Sequence, residues 1–177
     1  RLYREVLIPG VESSEDKRRH NKLYSQSEAL KSGFALYSLK SPSLYAFRQY
    51  TNAEENNMSS IYDVKHLPSD NGLRKILAQV DSQALRKRFG DLYNWAAEHK
   101  VIDAFRDWKD HLIISVDGVE HFTSKQISCP HCLVRHHRDG SQSNYHCMLS
   151  AALVKPGLSE VLIVDNEPIV NEDGAVK

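Results

Sequence analysis

Two hydrophobic periods divide this chain. Up to about residue 108 the apolar residues recur at helical spacing. From His111 onward they come in short Val-, Ile- and Leu-rich runs punctuated by Gly and Pro, the mark of strands. The first helix expected from the pattern starts at Ser25-Gln26-Ser27-Glu28, a capping box, and carries Ala29, Leu30, Phe34, Ala35, Leu36 and Tyr37 on a broad apolar face. Ser41-Pro42 reads as the end of that helix and the start of another, with Ser41 as N-cap, Pro42 in the first turn, and Leu44, Phe47 and Tyr45 as its buried face. Helix, short turn, helix outlines either a helix-turn-helix or a plain packed αα-hairpin. Residues 1–24 and 51–57 read as polar connections. Ser69-Asp70 caps a helix with Leu73, Ile76, Leu77 and Val80. Asp81 caps the next, with Leu85 and Phe89, and the spacing of Leu92, Trp95, Ala96, Val101, Phe105 and Trp108 carries it on to about residue 108.

The second half predicts strands at His111–Val116, stopping at Asp117-Gly118, at Asn144–Val154 and at Val161–Val164, with Lys155-Pro156-Gly157 as a turn. Short connections make these neighbours antiparallel. The fold class is α+β: a helical region over 1–108, then a strand region over 109–177.

Length and composition add only mild constraints. At 177 residues, 41% hydrophobic and 26% charged, the chain is an ordinary globular size with a real core. The formal charge is zero but uneven: residues 1–110 hold 18 basic against 15 acidic residues, and residues 111–177 hold 5 against 8. That permits a basic contact surface on the front. The run Glu15 to His20 reads as a solvated face, and Arg86-Lys87-Arg88 fits phosphate contact or an exposed helix face equally. No apolar run approaches the roughly 20 residues of a membrane span.

The candidate chemistry lies between Asp117 and His146. Asp117 follows an apolar strand, where a carboxylate can hold a catalytic Mg²⁺; Asp-Gly at a strand end is also an ordinary turn signal. Glu120, His121 and Lys125 lie just beyond it, as a phosphate-handling cleft or as hairpin surface. Cys129-Pro130-His131-Cys132 has zinc-knuckle spacing, and an odd cysteine count suits a reducing compartment better than a disulfide framework. Two more ligands are needed. If the turn at Asp139-Gly140 is two or four residues long, His137 and His146 share a face; a three-residue turn favours His136 instead. The preferred set is Cys129, Cys132, His137 and His146, with His136 and Cys147 as substitutes, in a hairpin over 127–147. A ββα-metal nuclease built on His136-His137 would need a helix where 148–154 reads as strand.

Several of these segments together resemble a known family. Ser115-Val116-Asp117-Gly118, Phe122-Thr123-Ser124-Lys125, Cys129-Pro130-His131-Cys132-Leu133, His136 to Ser141, Tyr145-His146, Ala151 to Val154 and Glu167-Pro168-Ile169 are similar to the early catalytic region of DDE-type insertion-sequence transposases. Ser32 to Ala35, Leu39 to Leu44 and Pro68 to Asp70 resemble the helical front of the same family. The resemblance implies the first antiparallel strands of a ribonuclease-H-like fold, with the Cys/His hairpin as an insertion. It implies Asp117 as the first catalytic carboxylate, binding Mg²⁺ or Mn²⁺, and Zn²⁺ in the hairpin. The implied partners are DNA (the element's terminal inverted repeats and its target) and further copies of the chain, in the bacterial cytoplasm at the nucleoid, with no membrane. The family's second Asp and its Glu lie downstream of the acidic stretch around Glu167, Glu172 and Asp173. The resemblance therefore implies an N-terminal part or truncated copy with one carboxylate of three, inactive alone. The rival reading is a zinc-stabilised module that binds DNA or protein without chemistry.

Overall fold

In a computed structural model of the chain, covering residues 1–18, 22–53 and 55–170, six α-helices precede a five-stranded antiparallel sheet. The protein is α+β. Residues 19–21, 54 and 171–177, with His20, Glu172 and Asp173 among them, lie outside the described residues. The chain divides into two compact units, residues 1–85 and Arg86 onward.

In the first unit, a π-helical turn over Tyr3–Leu7 runs into α1, Ile8–Glu12, where the sequence reads as polar connection. The Tyr3 ring stacks on Phe34 at 4.7 Å, and its hydroxyl donates to the Tyr62 carbonyl at 2.7 Å. Helix α2 spans Gln26–Ser38, and the Ser25 hydroxyl accepts the Glu28 amide as an N-cap should. The Glu28 carboxylate does not close a capping box. It accepts the amides of Lys65 and His66 and so ties down the chain after α4. Helix α3, Leu44–Ala53, is capped by Ser43, whose hydroxyl accepts the Ala46 amide; the expected cap at Ser41 is two residues early. Helix α4, Glu55–Tyr62, occupies part of the stretch expected to be a loop. Its Met58 packs with Ala35, Phe47 and Val64 in one core cluster. Helix α5, Asp70–Leu77, is capped by Ser69 and brings Leu73 and Ile76 against Ala29.

Charge pairs close this unit alongside the apolar clusters. Asp16 is a hub: Arg18 donates to it through Nε at 2.9 Å and Nη2 at 2.7 Å, Lys22 Nζ lies 3.1 Å away, and the Gln26 amide donates at 3.2 Å. Hydrogen bonds from Arg18, with Lys22 adding to them, hold the Asp16 carboxyl far below the usual carboxylate range. This part of the Glu15–His20 run is thus knitted into the fold. Lys31, only 4% exposed, reaches Asp63 at 2.8 Å, with Glu12 at 3.7 Å and Glu28 at 3.8 Å. A buried ammonium persists only with such partners.

Helix α6 runs Ser82–Glu98, its Asp81 side chain accepting the Gln83 amide. It stops ten residues short of the expected end, followed by a 3₁₀ turn over Ile102–Phe105. Ala96, Ile102 and Phe105 make the core of the second unit with Leu153. The sheet comprises β1 (Arg106–Asp107), β2 (His111–Ser124), β3 (Leu133–His136), β4 (Gln142–Val154) and β5 (Leu162–Ile169). Strand β4 is central. Strand β2 pairs along one edge of it from Asn144 to Val154; β3 and then β5 share the other edge. Strand β2 does not end at Asp117-Gly118 as expected but continues to Ser124, with a bulge at His121. The ladder absorbs the Asp-Gly pair because strand-forming residues resume at Val119, Phe122 and Thr123. Helix α6 is clamped to β5 by Arg86, which donates to both carboxylate oxygens of Asp165 at 2.8 and 2.6 Å and lies 3.3 Å from Glu167. With Arg88 paired to Asp91 at 2.9 Å, two of the three cations in that cluster are committed within the fold.

Replacing Lys31 with Met is expected to lower stability by about 1.5–3 kcal/mol, the worth of a charged hydrogen bond, since the part-exposed carboxylates can rehydrate. Urea unfolding measures it; an unchanged midpoint would contradict the network. Asp16 sets a pH dependence of known sign. Its folded pKa lies below the unfolded value of about 4, so its stabilisation is complete above that pH and is lost as pH falls through the folded value. Asp16→Asn should flatten the acid limb of a stability–pH profile.

Candidate metal centre

The turn between β3 and β4 decides which side chains meet. His136 pairs with Gln142, the His137 amide donates to the Ser141 carbonyl at 2.9 Å, and the Gly140 amide donates back to the His137 carbonyl at 3.1 Å. The loop is therefore three residues long, Arg138 to Gly140. Gly140 has φ +80°, the left-handed conformation this loop needs and glycine takes at no steric cost. Asp139 accepts from the amide and hydroxyl of Ser141, and these bonds lower its carboxyl pKa.

This register continues to Leu133 opposite Tyr145. One step further, Cys132 falls opposite His146. The knuckle delivers the second cysteine. The Ser124 hydroxyl accepts the amides of Gln126 and Ile127 and ends β2; the Cys132 amide donates to the Cys129 carbonyl, and the Cys129 amide donates to Cys132 Sγ at 3.2 Å.

Cys129, Cys132 and His146 thus converge, with all ligand atoms within 4.8 Å of one another. Sγ of Cys129 and Sγ of Cys132 are 3.7 Å apart, and His146 Nε2 is 3.3 Å from the first and 3.4 Å from the second. A tetrahedral zinc with Zn–S of about 2.3 Å and Zn–N of about 2.0–2.1 Å has sulfur–sulfur edges of about 3.8 Å and sulfur–nitrogen edges of about 3.5 Å. The three atoms thus match one face of such a tetrahedron to within a few tenths of an ångström. Among the described residues no disulfide forms, so both thiols are available as ligands. The group can bind a metal ion, and two sulfurs with one imidazole are compatible with zinc.

His137 is not brought into this set. Its Nε2 lies 2.9 Å from the Ser143 hydroxyl, and the register puts it on the face opposite His146. The expectation that included it assumed a turn of even length. His136 shares the His146 face, as the odd turn requires, but sits two positions beyond Val134, with Nδ1 3.1 Å from the Gln142 amide. Cys147 alternates to the other face, near Gly118.

Asp117 lies within β2, opposite Ser150, which in turn is opposite Asn166 on β5. The three form a polar row across the sheet, closed by a short hydrogen bond from Ser150 to Asn166. Asp117 is exposed, and one oxygen accepts the Gly118 amide at 2.7 Å. His146, Ser150 and Asp117 share one sheet face by register. Asp117 belongs to no group of three metal-type ligands among the described residues, so these residues alone do not fit a Mg²⁺ site. Glu120 is turned to Arg135 at 2.6 Å, and Glu167 lies on β5 near Arg86. No helix among the described residues is long and apolar enough to cross a membrane. Comparison with protein-family models, curated proteins and solved structures returned no match.

Protein purified without added metal is expected to carry about one ion per chain by mass spectrometry. Cys129→Ser should lose it, and chelator should lower the melting temperature of the wild type while leaving Cys129→Ser unmoved. Metal retained in Cys129→Ser would place the ion elsewhere.

Proposed function

We propose that the chain contributes the first catalytic carboxylate of a DDE-type transposase, Asp117, together with a zinc-stabilised hairpin, and that it acts on DNA. The observation that carries this reading is the position of Asp117. It lies on the first long strand of an antiparallel β2–β4–β5 run, which is where the sequence resemblance expects the carboxylate in a ribonuclease-H-like fold. Asp117 stands on a paired strand in register with Ser150 and Asn166, and metal-assisted phosphoryl transfer calls for ligands on such elements. Zinc is the ion best suited to the hairpin, because two thiolates and an imidazole select it over oxygen-preferring cations such as Mg²⁺. DNA, including terminal repeats, is the partner that follows from the resemblance, and assembly with further copies would complete a transposition complex.

A second reading has its own support. The hairpin ligands sit at metal-binding separations, while Asp117 belongs to no group of three metal-type ligands among the described residues. A zinc-stabilised DNA- or protein-binding module without chemistry fits that imbalance.

Gel-shift and plasmid-nicking assays separate the two. On the transposase reading, the 177-residue chain binds duplex DNA with a salt dependence typical of phosphate contacts, and does not nick plasmid with Mg²⁺. Vigorous cleavage by this chain alone, or no DNA binding at low salt, would contradict it. Binding that survives Asp117→Ala but disappears with chelator favours the second reading.

A further inference from the structure

Three ligands leave a tetrahedral ion one position short, and a structural site is normally closed by a fourth protein side chain. The register of β2 against β4 changes at one point. Glu120 is opposite Cys147 and Phe122 is opposite His146, so His121 is the extra residue of a β-bulge. In regular alternation His121 would face away from Phe122. A bulge breaks the alternation and re-aims the side chain, a device common beside functional sites. Here it turns the His121 ring to the metal face, stacked on the His146 ring with centroids 6.0 Å apart and planes at 23°. Phe122 flanks His146 from the same strand at 5.7 Å.

We propose that His121 is the fourth ligand of the Cys129–Cys132–His146 centre, closing it as a Cys₂His₂ site. This rests on the zinc reading of the hairpin. The ring is exposed, so rotation about its side-chain bonds is unobstructed by core packing. The rivals are otherwise placed. His137 is engaged with Ser143 on the opposite face, His136 lies with Gln142 beyond reach, and Cys147 points to the Gly118 side. His131 lies inside the knuckle, between the two cysteines, and is exposed.

The assignment gives the ion a mechanical role. Cys129, Cys132 and His146 belong to the hairpin and β4, whereas His121 belongs to β2. Asp117 is four residues earlier on β2, about 13 Å along the strand. An ion held by all four residues pins the far end of the strand that carries Asp117.

Cobalt(II) titration of the full chain provides the test, with far-UV circular dichroism to check folding. Wild type should show the intense visible bands of a four-coordinate thiolate–imidazole site. His121→Ala should bind at least the roughly 10–100-fold more weakly that loss of even an outer-shell partner costs, with an altered spectrum. His121→Cys should restore tight binding and strengthen the thiolate-to-cobalt charge-transfer band. His131→Ala and His137→Ala should leave both affinity and spectrum unchanged. If wild type binds no cobalt, the metal reading itself falls. If wild type binds and His121→Ala keeps its affinity and spectrum, only the assignment of His121 falls.

Discussion

The pairing of β4 on both edges is the constraint on which the second unit depends. Every strand that carries chemistry takes its position from β4: β2 along one edge, β3 and β5 end to end along the other. A one-residue slip in any of these ladders would exchange the faces of a whole strand. Two local features prevent it. Gly140, in left-handed conformation, fixes a three-residue loop and so the β3 register. The bulge at His121 absorbs one residue of β2, so that the pairing beyond it continues in phase.

The two sheet faces then divide the work. Leu153 faces the side where Ala96, Ile102 and Phe105 pack and where Arg86 grips Asp165. His146, Ser150 and Asp117 belong to the other. The clamp holds the Asp165 carboxyl below its usual range through the Arg86 hydrogen bonds, so the ion pair persists over ordinary pH. Strand β2 departs from this division. Ile114 and Val116 remain 57% and 59% exposed although their residue types are those of a buried strand; of β2, Leu112 packs against the Ala96–Leu153 cluster.

Much of this was legible in the sequence. The α+β class, the caps at Ser25 and Ser69, and the strand at 144–154 follow from period and capping chemistry, and the structure has them. The Cys-x-x-Cys and His146 were readable as ligands from spacing. Other features were not. Residues 3–12 and 55–62 are helical because their few apolar residues, Tyr3, Val6 and Met58, find partners such as Phe34 and Phe47 from distant segments; no local period announces that. The Ser41-Pro42 signal misled because Ser43 offers an equally good cap two residues closer to Phe47. His137 misled for a different reason: Asp-Gly announces a turn without its length, and parity then picks the ligand. His121, read only as cleft or hairpin surface, carried no ligand signal, since a bulge is visible only in the pairing of two strands.

Zinc K-edge X-ray absorption on the purified chain is the most direct test of whether this register builds a metal centre. Two sulfurs at about 2.3 Å with nitrogen at about 2.0–2.1 Å, and a sulfur shell that falls to one sulfur or is lost with the ion in Cys132→Ser, are expected. A first shell of oxygen alone, or a sulfur shell unaffected by Cys132→Ser, would contradict it.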